Sequence, residues 1–422
     1  YNYFGETTVR AIFYNLLIMA AAAMTVLACS EPPPAVTEGN GNEYGAAKAT
    51  AEKADTISWP TDGWAVSTPE AEGMDGEAIK AAADAIEAGD YGLVDQFLLI
   101  RHGRVIADYR FEHDYETLNA KYEQTDSQYS YDNANWHPFY QNTNLHTLQS
   151  STKSVTSAVM GIAVDKGLIN SIDLPAMSFF VAYSLDLTDP RKAAITVEDL
   201  LTMRSGIAWS KEGQSYDDPT HPTIILENSD NWIDYILEQP MATDPGAVWD
   251  YNDGVSVLLG KIVTEATGQR IDQFAREQLF EPIGINNFHW KISPDGEADT
   301  EGGLYLDTYD FARFAYLFLR KGMWGDQRVI SEDWVNRSVK PVVEDILPDN
   351  DKVNRGYGYQ WWVLDQENGE AKIYGAMGYG GQYAIVSPEH DLVAIFNGWN
   401  IHDRHNITLG ILQERFIPAI KR

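Results

Sequence analysis

Ser150-Ser151-Thr152-Lys153 opens an apolar, helix-like run over 154–166. Residues i and i+3 of a helix are neighbours, so this spacing lets the Ser150 Oγ meet the Lys153 Nζ. A serine hydroxyl is a poor nucleophile near neutral pH and needs a neighbour that takes its proton as it attacks. Lysine serves if it is neutral, and burial beside other donors is expected to lower its pKa. The helix start also aims free N–H groups at charge developing on a substrate. The plainer alternative is a serine-rich helix start in which Ser150 or Ser151 is only a cap. The tetrapeptide alone does not choose between them.

Two further segments bear on the choice. Pro245-Gly246-Ala247-Val248-Trp249-Asp250-Tyr251-Asn252-Asp253 forms a turn leading into a helical run over 255–267. Much later, Tyr374-Gly375-Ala376-Met377-Gly378-Tyr379-Gly380-Gly381-Gln382 leads into the strand-like Tyr383-Ala384-Ile385-Val386-Ser387. In this order and spacing the three segments resemble the active-site motifs of the serine hydrolases related to class C β-lactamases and D-alanyl-D-alanine peptidases. The resemblance runs from Trp59 to the end of the chain. It includes Leu200-Leu201-Thr202-Met203-Arg204-Ser205-Gly206, Gly302-Gly303-Leu304 ahead of Asp310-Phe311-Ala312-Arg313-Phe314, and Gly356-Tyr357-Gly358-Tyr359-Gln360-Trp361-Trp362.

Within that family, three local features resemble the 6-aminohexanoate-oligomer hydrolases and their esterase relatives. They are the block over 150–154, Ser331-Glu332-Asp333-Trp334-Val335, and a third motif without a basic residue. The β-lactamases carry Lys-Thr-Gly where this chain has Ala376-Met377-Gly378, and that lysine meets a substrate carboxylate, so β-lactam chemistry is disfavoured. Asp253 stands where the lactamase pattern Tyr-x-Asn has asparagine.

The resemblance implies an α/β, β-lactamase/transpeptidase-like fold: an antiparallel sheet flanked by helices, with a mostly helical inserted domain. It implies an acyl-enzyme hydrolase in which Ser150 attacks an ester or amide carbonyl and Lys153, with Tyr251, accepts its proton. Tyr251 then protonates the leaving group. The backbone N–H groups of Ser150 and Tyr379 would form the oxyanion hole, and Tyr216, Asp253, Ala376 and Gly378 would contact substrate. Tyr216 resembles a loop tyrosine that helps the oligomer hydrolases turn over amides, but the match is short and in a variable region, and the residues themselves favour a plain loop tyrosine. Neither a cofactor nor a metal is implied. A β-lactamase or D-Ala-D-Ala carboxypeptidase, and a non-catalytic envelope or sensor protein, stay open because fold does not fix function.

Composition bounds the partners. The chain has 422 residues, 44% of them apolar, enough for a large core. A formal charge of −31 repels nucleic acid and anionic membrane surfaces, and such an excess more often means a solvated surface than an acidic functional patch. Arg10 precedes an apolar run over 11–28 that ends in Val26-Leu27-Ala28-Cys29. This reads as a secretory signal, with the sole cysteine placed where bacterial lipoproteins are cleaved and acylated. A plain membrane anchor and simple secretion are the alternatives. Expected boundaries are a signal peptide over 1–29, a flexible linker over 30–58, an α/β domain from 59–149 and 301–422, and a helical domain over 150–300. The linker rests on Pro32-Pro33-Pro34 and Gly39-Asn40-Gly41-Asn42.

Other patterns are weaker. There is no Gly-x-Ser-x-Gly, P-loop or His-Glu-x-x-His motif. His402 and His405 read as surface histidines rather than a metal pair. Trp361, Trp362 and Tyr379 are expected near the site, as packing or as the wall of an apolar acyl pocket. A helix is expected over 78–86, and a hairpin from strands over 96–100 and 105–111 turning at His102-Gly103. Later strands are expected over 359–364, 382–387 and 392–396, with a last helix over 407–417. Thr196 and Asp253 are expected helix caps.

Overall fold

The computed structural model describes residues 57–122, 125–209, 214, 218–346, 355–402 and 411–421. An eight-stranded sheet forms its centre. Numbered in chain order, its strands are β1 (Ala65–Val66), β2 (Val94–Arg101), β3 (Arg104–Arg110), β4 (Gly356–Tyr357), β5 (Trp362–Glu367), β6 (Glu370–Gly378), β7 (Gln382–Ser387) and β8 (Leu392–Gly398). Their spatial order is β1-β3-β2-β8-β7-β6-β5-β4, so strands from both ends of the described chain meet at the β2–β8 pair, where Phe97 faces Phe396.

Strand side chains alternate between faces, and here both faces are covered. Leu98, Ile100, Val393 and Ile395 join one apolar cluster, which continues into the helices Thr152–Asp165, Asp253–Thr267 and Thr308–Leu319. Phe97, Leu99, Ala394 and Phe396 join a second, closed by Ile79, Ala82, Ala83 and Ile86 of the helix Gly76–Glu87 and by Phe416. The hairpin turns as expected at His102 and Gly103, whose φ of 52° and 75° match the left-handed pair that tight hairpins favour.

Several expectations need correction. The sheet is mixed, because β1 pairs parallel with β3 while the other neighbours run antiparallel. A parallel pair needs a crossover, and the helix Gly76–Glu87 with β2 supplies it. The strand expected at 359–364 begins at Trp362, since Gln360 turns with φ 60° and its side-chain amide donates to the Leu200 and Leu201 carbonyls. At the end of the chain, Leu412–Phe416 is a single wide helical turn, and the first part of the expected helix lies outside the described residues. Thr196 caps Val197–Leu201 in a reciprocal box with Asp199, but Asn252, not Asp253, caps Asp253–Thr267. The Asp253 carboxylate is turned inward, toward Lys153.

The helix Thr152–Asp165 is buried at every residue from Thr152 to Ala163, as expected for a helix enclosed on all sides. Close packing makes Gly161 obligatory, since a Cβ there would collide with the Trp334 ring. Gly161→Ala should destabilise the fold by about 1–3 kcal/mol, the usual cost of overpacking. Chemical denaturation checks this, and an unchanged midpoint would contradict it.

Candidate active site

The chain enters the site under backbone constraint. Gln149 has φ 47°, a left-handed conformation that costs a non-glycine residue energy and that clusters at functional sites. Its side-chain amide donates to Thr147 Oγ1 at 2.9 Å. Gln149–Ser151 form a tight helical turn that feeds directly into Thr152–Asp165, so Ser150 precedes the α-helix rather than capping it. Ser151 makes no side-chain cap bond either; its hydroxyl donates to the Gln382 carbonyl at 2.8 Å. The plain-cap reading therefore fails for both serines.

One helical step on, Lys153 is 1% exposed. Its Nζ lies 3.0 Å from Ser150 Oγ, 2.7 Å from the Glu301 carbonyl oxygen and 2.7 Å from Asp253 Oδ1. Three acceptors satisfy the three N–H bonds of an ammonium. A further contact of 3.3 Å reaches Glu301 Oε2, and Nζ stands 5.2 Å from the centre of the Tyr251 ring. The Tyr251 hydroxyl hydrogen-bonds with Ser150 and Lys153. Trp362 stacks on Tyr251 at 5.7 Å between ring centres.

The electrostatics overturn one expectation. Burial by itself pushes the Lys153 amine down, but Asp253, Tyr251 and Glu301 outweigh it and hold the amine well above lysine's ordinary range. Lys153 is thus an ammonium at rest, not the neutral amine expected from burial beside donors. Burial also pushes the Tyr251 phenol up, with Lys153 opposing. It pushes the Glu301 carboxyl well up, again against Lys153.

Behind this cluster lies a second lysine. Lys291 is 2% exposed, with Nζ 3.2 Å from His137 Nε2. Burial drives Lys291 down to about 8 and the neighbouring Glu227 up to about 8. Glu227 accepts the Tyr131 hydroxyl at 2.8 Å. Burial and Lys291 also hold His137 well below the histidine range and push His289 down to about 4. Because the folded values are depressed, this stability is present above about pH 6.5 and is lost as the pH falls toward 4, where only the unfolded chain binds those protons freely. Melting temperature should fall across that window, and less steeply in His289→Asn. Identical slopes would contradict the assignment.

The residues enclose a cleft of about 210 Å³ lined by Tyr131, Gln149, Ser150, Thr223, Tyr251, Asp253, Glu301, Trp362, Met377, Gly378, Tyr379 and Tyr383. Ser150, Lys153, Tyr251 and Asp253 come together, and Gly378 and Tyr379 line the same cleft. Gly378 has a steric reason, because a Cβ there would collide with the Leu148 carbonyl beside the nucleophile turn. Ala376 does not face the cleft. It is fully buried, pairs with Ala384, and packs in the core, while Met377 lines the cleft instead. Trp361 likewise packs inward on Phe314, Phe318 and Tyr374, leaving Trp362 at the site. His402 pairs with Asp132 at 2.8 Å. Tyr216, His405 and Cys29 lie outside the described residues.

Sequence reading missed Glu301, Thr223, Gln149, Tyr131, Met377 and Tyr383. Glu301 had a signal, since it directly precedes Gly302-Gly303-Leu304. Thr223 had none: it is one more threonine until folding sets its hydroxyl 2.5 Å from Asp253 Oδ2.

Comparison with known proteins bears on the fold and the family. The 6-aminohexanoate-dimer hydrolase of Paenarthrobacter ureafaciens is 23% identical over 286 residues, covering 63% of this chain and 70% of that protein. Among solved structures, a family VIII carboxylesterase aligns with a TM-score of 0.57 at 17% identity, over 84% of this chain and 98% of that one. The octameric penicillin-binding protein homologue from Pyrococcus abyssi aligns with a TM-score of 0.56 at 18% identity, over 82% and 79%. At such identities the structures establish a shared β-lactamase/transpeptidase-like fold. The family model described as Beta-lactamase matches residues 92–405, most of the chain, and the chain therefore belongs to the Beta-lactamase family.

Proposed function

We propose that this protein is a serine hydrolase that cleaves carboxylic esters or linear amides through an acyl-enzyme on Ser150. The observation that carries the reading is the 3.0 Å contact between Lys153 Nζ and Ser150 Oγ, at a cleft that Tyr251 also lines. Ser150 attacks the carbonyl while Lys153, with Tyr251, takes up its proton. Because Lys153 rests as an ammonium, it passes one proton to the Asp253 carboxylate 2.7 Å away and accepts the serine proton in its place. Tyr251 then delivers a proton to the leaving alcohol or amine, and Lys153 replenishes it. The backbone N–H groups of Ser150 and Tyr379 hold the carbonyl oxygen as it becomes an anion. Water releases the acyl group by the same proton path in reverse.

The similarity to a 6-aminohexanoate-dimer hydrolase and to carboxylesterases supports ester and amide substrates. The cleft, not Ala376, is what disfavours β-lactams. Among the described residues lining it there is no lysine, arginine or histidine, and a buried substrate carboxylate without a cationic partner is costly. The test is a panel of p-nitrophenyl esters, 6-aminohexanoate oligomers and nitrocefin. The value of kcat/KM for p-nitrophenyl butyrate should exceed that for nitrocefin by at least about tenfold, the scale of one lost charged hydrogen bond. Nitrocefin turnover equal to the best ester would overturn this preference. Export as a lipoprotein acylated at Cys29 is a separate proposal, tested by whether Cys29→Ser leaves the membrane fraction.

A further inference from the structure

We infer that Thr223 is a positioning residue of the reaction, whose hydroxyl holds the Asp253 carboxylate in the orientation and charge state that accept a proton from Lys153. The inference rests on the hydrolase reading above. The Thr223 hydroxyl donates to Asp253 Oδ2 at 2.5 Å, and the other oxygen, Oδ1, lies 2.7 Å from Lys153 Nζ. An ionised carboxylate only accepts, so the single threonine proton goes to Asp253. The threonine lone pairs are left for the Trp209 indole N–H, which donates to Thr223 Oγ1 at 3.3 Å. A continuous series of hydrogen bonds then runs from Trp209 through Thr223, Asp253 and Lys153 to Ser150, whose Oγ lies 3.0 Å from the lysine.

Thr223 is itself held in place. Its backbone N–H donates at 3.2 Å to His221 Nδ1, the cap of the short helix Pro222–Glu227. Trp209 packs so closely on Gly254, the residue after Asp253, that a Cβ there would fall 2.7 Å from the indole ring. One indole therefore fixes Thr223 by a hydrogen bond and the chain beside Asp253 by contact. As the bond between Ser150 Oγ and the carbonyl carbon forms, the serine proton passes to Lys153 and a lysine proton passes to Asp253 Oδ1. The negative charge leaves Asp253 and appears on the carbonyl oxygen, while Thr223 keeps its own proton. A donor to the ionised form favours that form, so Thr223 keeps Asp253 able to accept a proton at lower pH than an unassisted carboxylate. Besides Lys153, the titratable groups facing Asp253 are Tyr251, Tyr357, Glu301, Glu227, His221 and Tyr131. Among the described residues the Thr223 hydroxyl bonds to Trp209 and Asp253 and to none of these. A change at that hydroxyl therefore addresses Asp253.

The test is the pH dependence of kcat/KM for p-nitrophenyl butyrate, which reports the groups of the free enzyme, in the parent, Thr223→Val and Thr223→Ser. Valine keeps the volume and removes the hydroxyl, whereas serine keeps the hydroxyl. Asp253 must be ionised to take the proton, so activity is lost as the pH falls and Asp253 becomes protonated. Without the threonine donor that loss begins at higher pH. The acid limb should move up by about one pH unit in Thr223→Val, the scale of one hydrogen bond to a charged group, and return to the parent position in Thr223→Ser. Should Thr223→Val fail to fold, Thr223→Ala carries the same expectation. A fall in kcat/KM that is equal at every pH, with the limb unmoved, would make Thr223 a packing residue and overturn the inference while the hydrolase stands. A limb that moves equally in the valine and serine variants would overturn it as well, because the hydroxyl would then not be the cause. No turnover of any ester by the parent overturns the hydrolase reading and this inference with it.

Discussion

Replacing Ser150 by alanine is expected to lower kcat by about 10⁴-fold or more on every ester the parent cleaves, the scale seen when the nucleophile of an acyl-enzyme is removed. The fold should survive, because among the described residues the Ser150 hydroxyl reaches Lys153 and Tyr251, neither of which it holds in the core. Ser151→Ala makes the informative contrast. That hydroxyl is fully buried and donates to the Gln382 carbonyl, so its loss should cost about 1 kcal/mol of stability while activity stays within about tenfold of the parent. Steady-state kinetics with a melting curve on both variants separates the roles. A Ser150→Ala enzyme retaining a tenth of the parent activity would contradict the assignment.

Lys153→Arg is expected to reduce kcat/KM by at least about 10²-fold, the low end for losing a general base. Guanidinium keeps the charge that Asp253 and Glu301 require but does not release a proton near neutral pH. Lys153→Met removes the buried cation itself. It leaves the buried Asp253 and Glu301 carboxylates without their cation, and breaking a buried pair in this way costs about 3–5 kcal/mol. Denaturation should therefore rank stability as parent, then arginine, then methionine. Arginine activity within a few-fold of the parent would point to a different base, and a methionine variant as stable as the parent would refute the charge cluster.

The contact between Ser150 and Lys153 was legible because a three-residue spacing at a helix start imposes a neighbourhood that no tertiary contact needs to supply. The strands were legible for a similar local reason: the apolar runs in Gln382–Ser387 and Leu392–Gly398 are buried on both faces. The Lys153 protonation state was not legible. It depends on Asp253 and Glu301, which lie far along the chain and approach only through the folded packing of Asp253–Thr267 and the turn before Gly302. Ala376 misled for a geometric reason. Neighbouring strand residues face opposite ways, so a motif fixes the strand but not which of Ala376 and Met377 looks into the cleft. The parallel edge strand β1 is two residues long and exposed, with no periodicity to read.

Ser150 is the nucleophile we propose for this cleft. Its most direct test is peptide mass mapping of the parent protein after reaction with an active-site fluorophosphonate. A single stoichiometric adduct is expected on the peptide containing Ser150, protected by a cleaved ester and absent from Ser150→Ala. An adduct on Ser151 or another hydroxyl, or labelling that persists in Ser150→Ala, would contradict it.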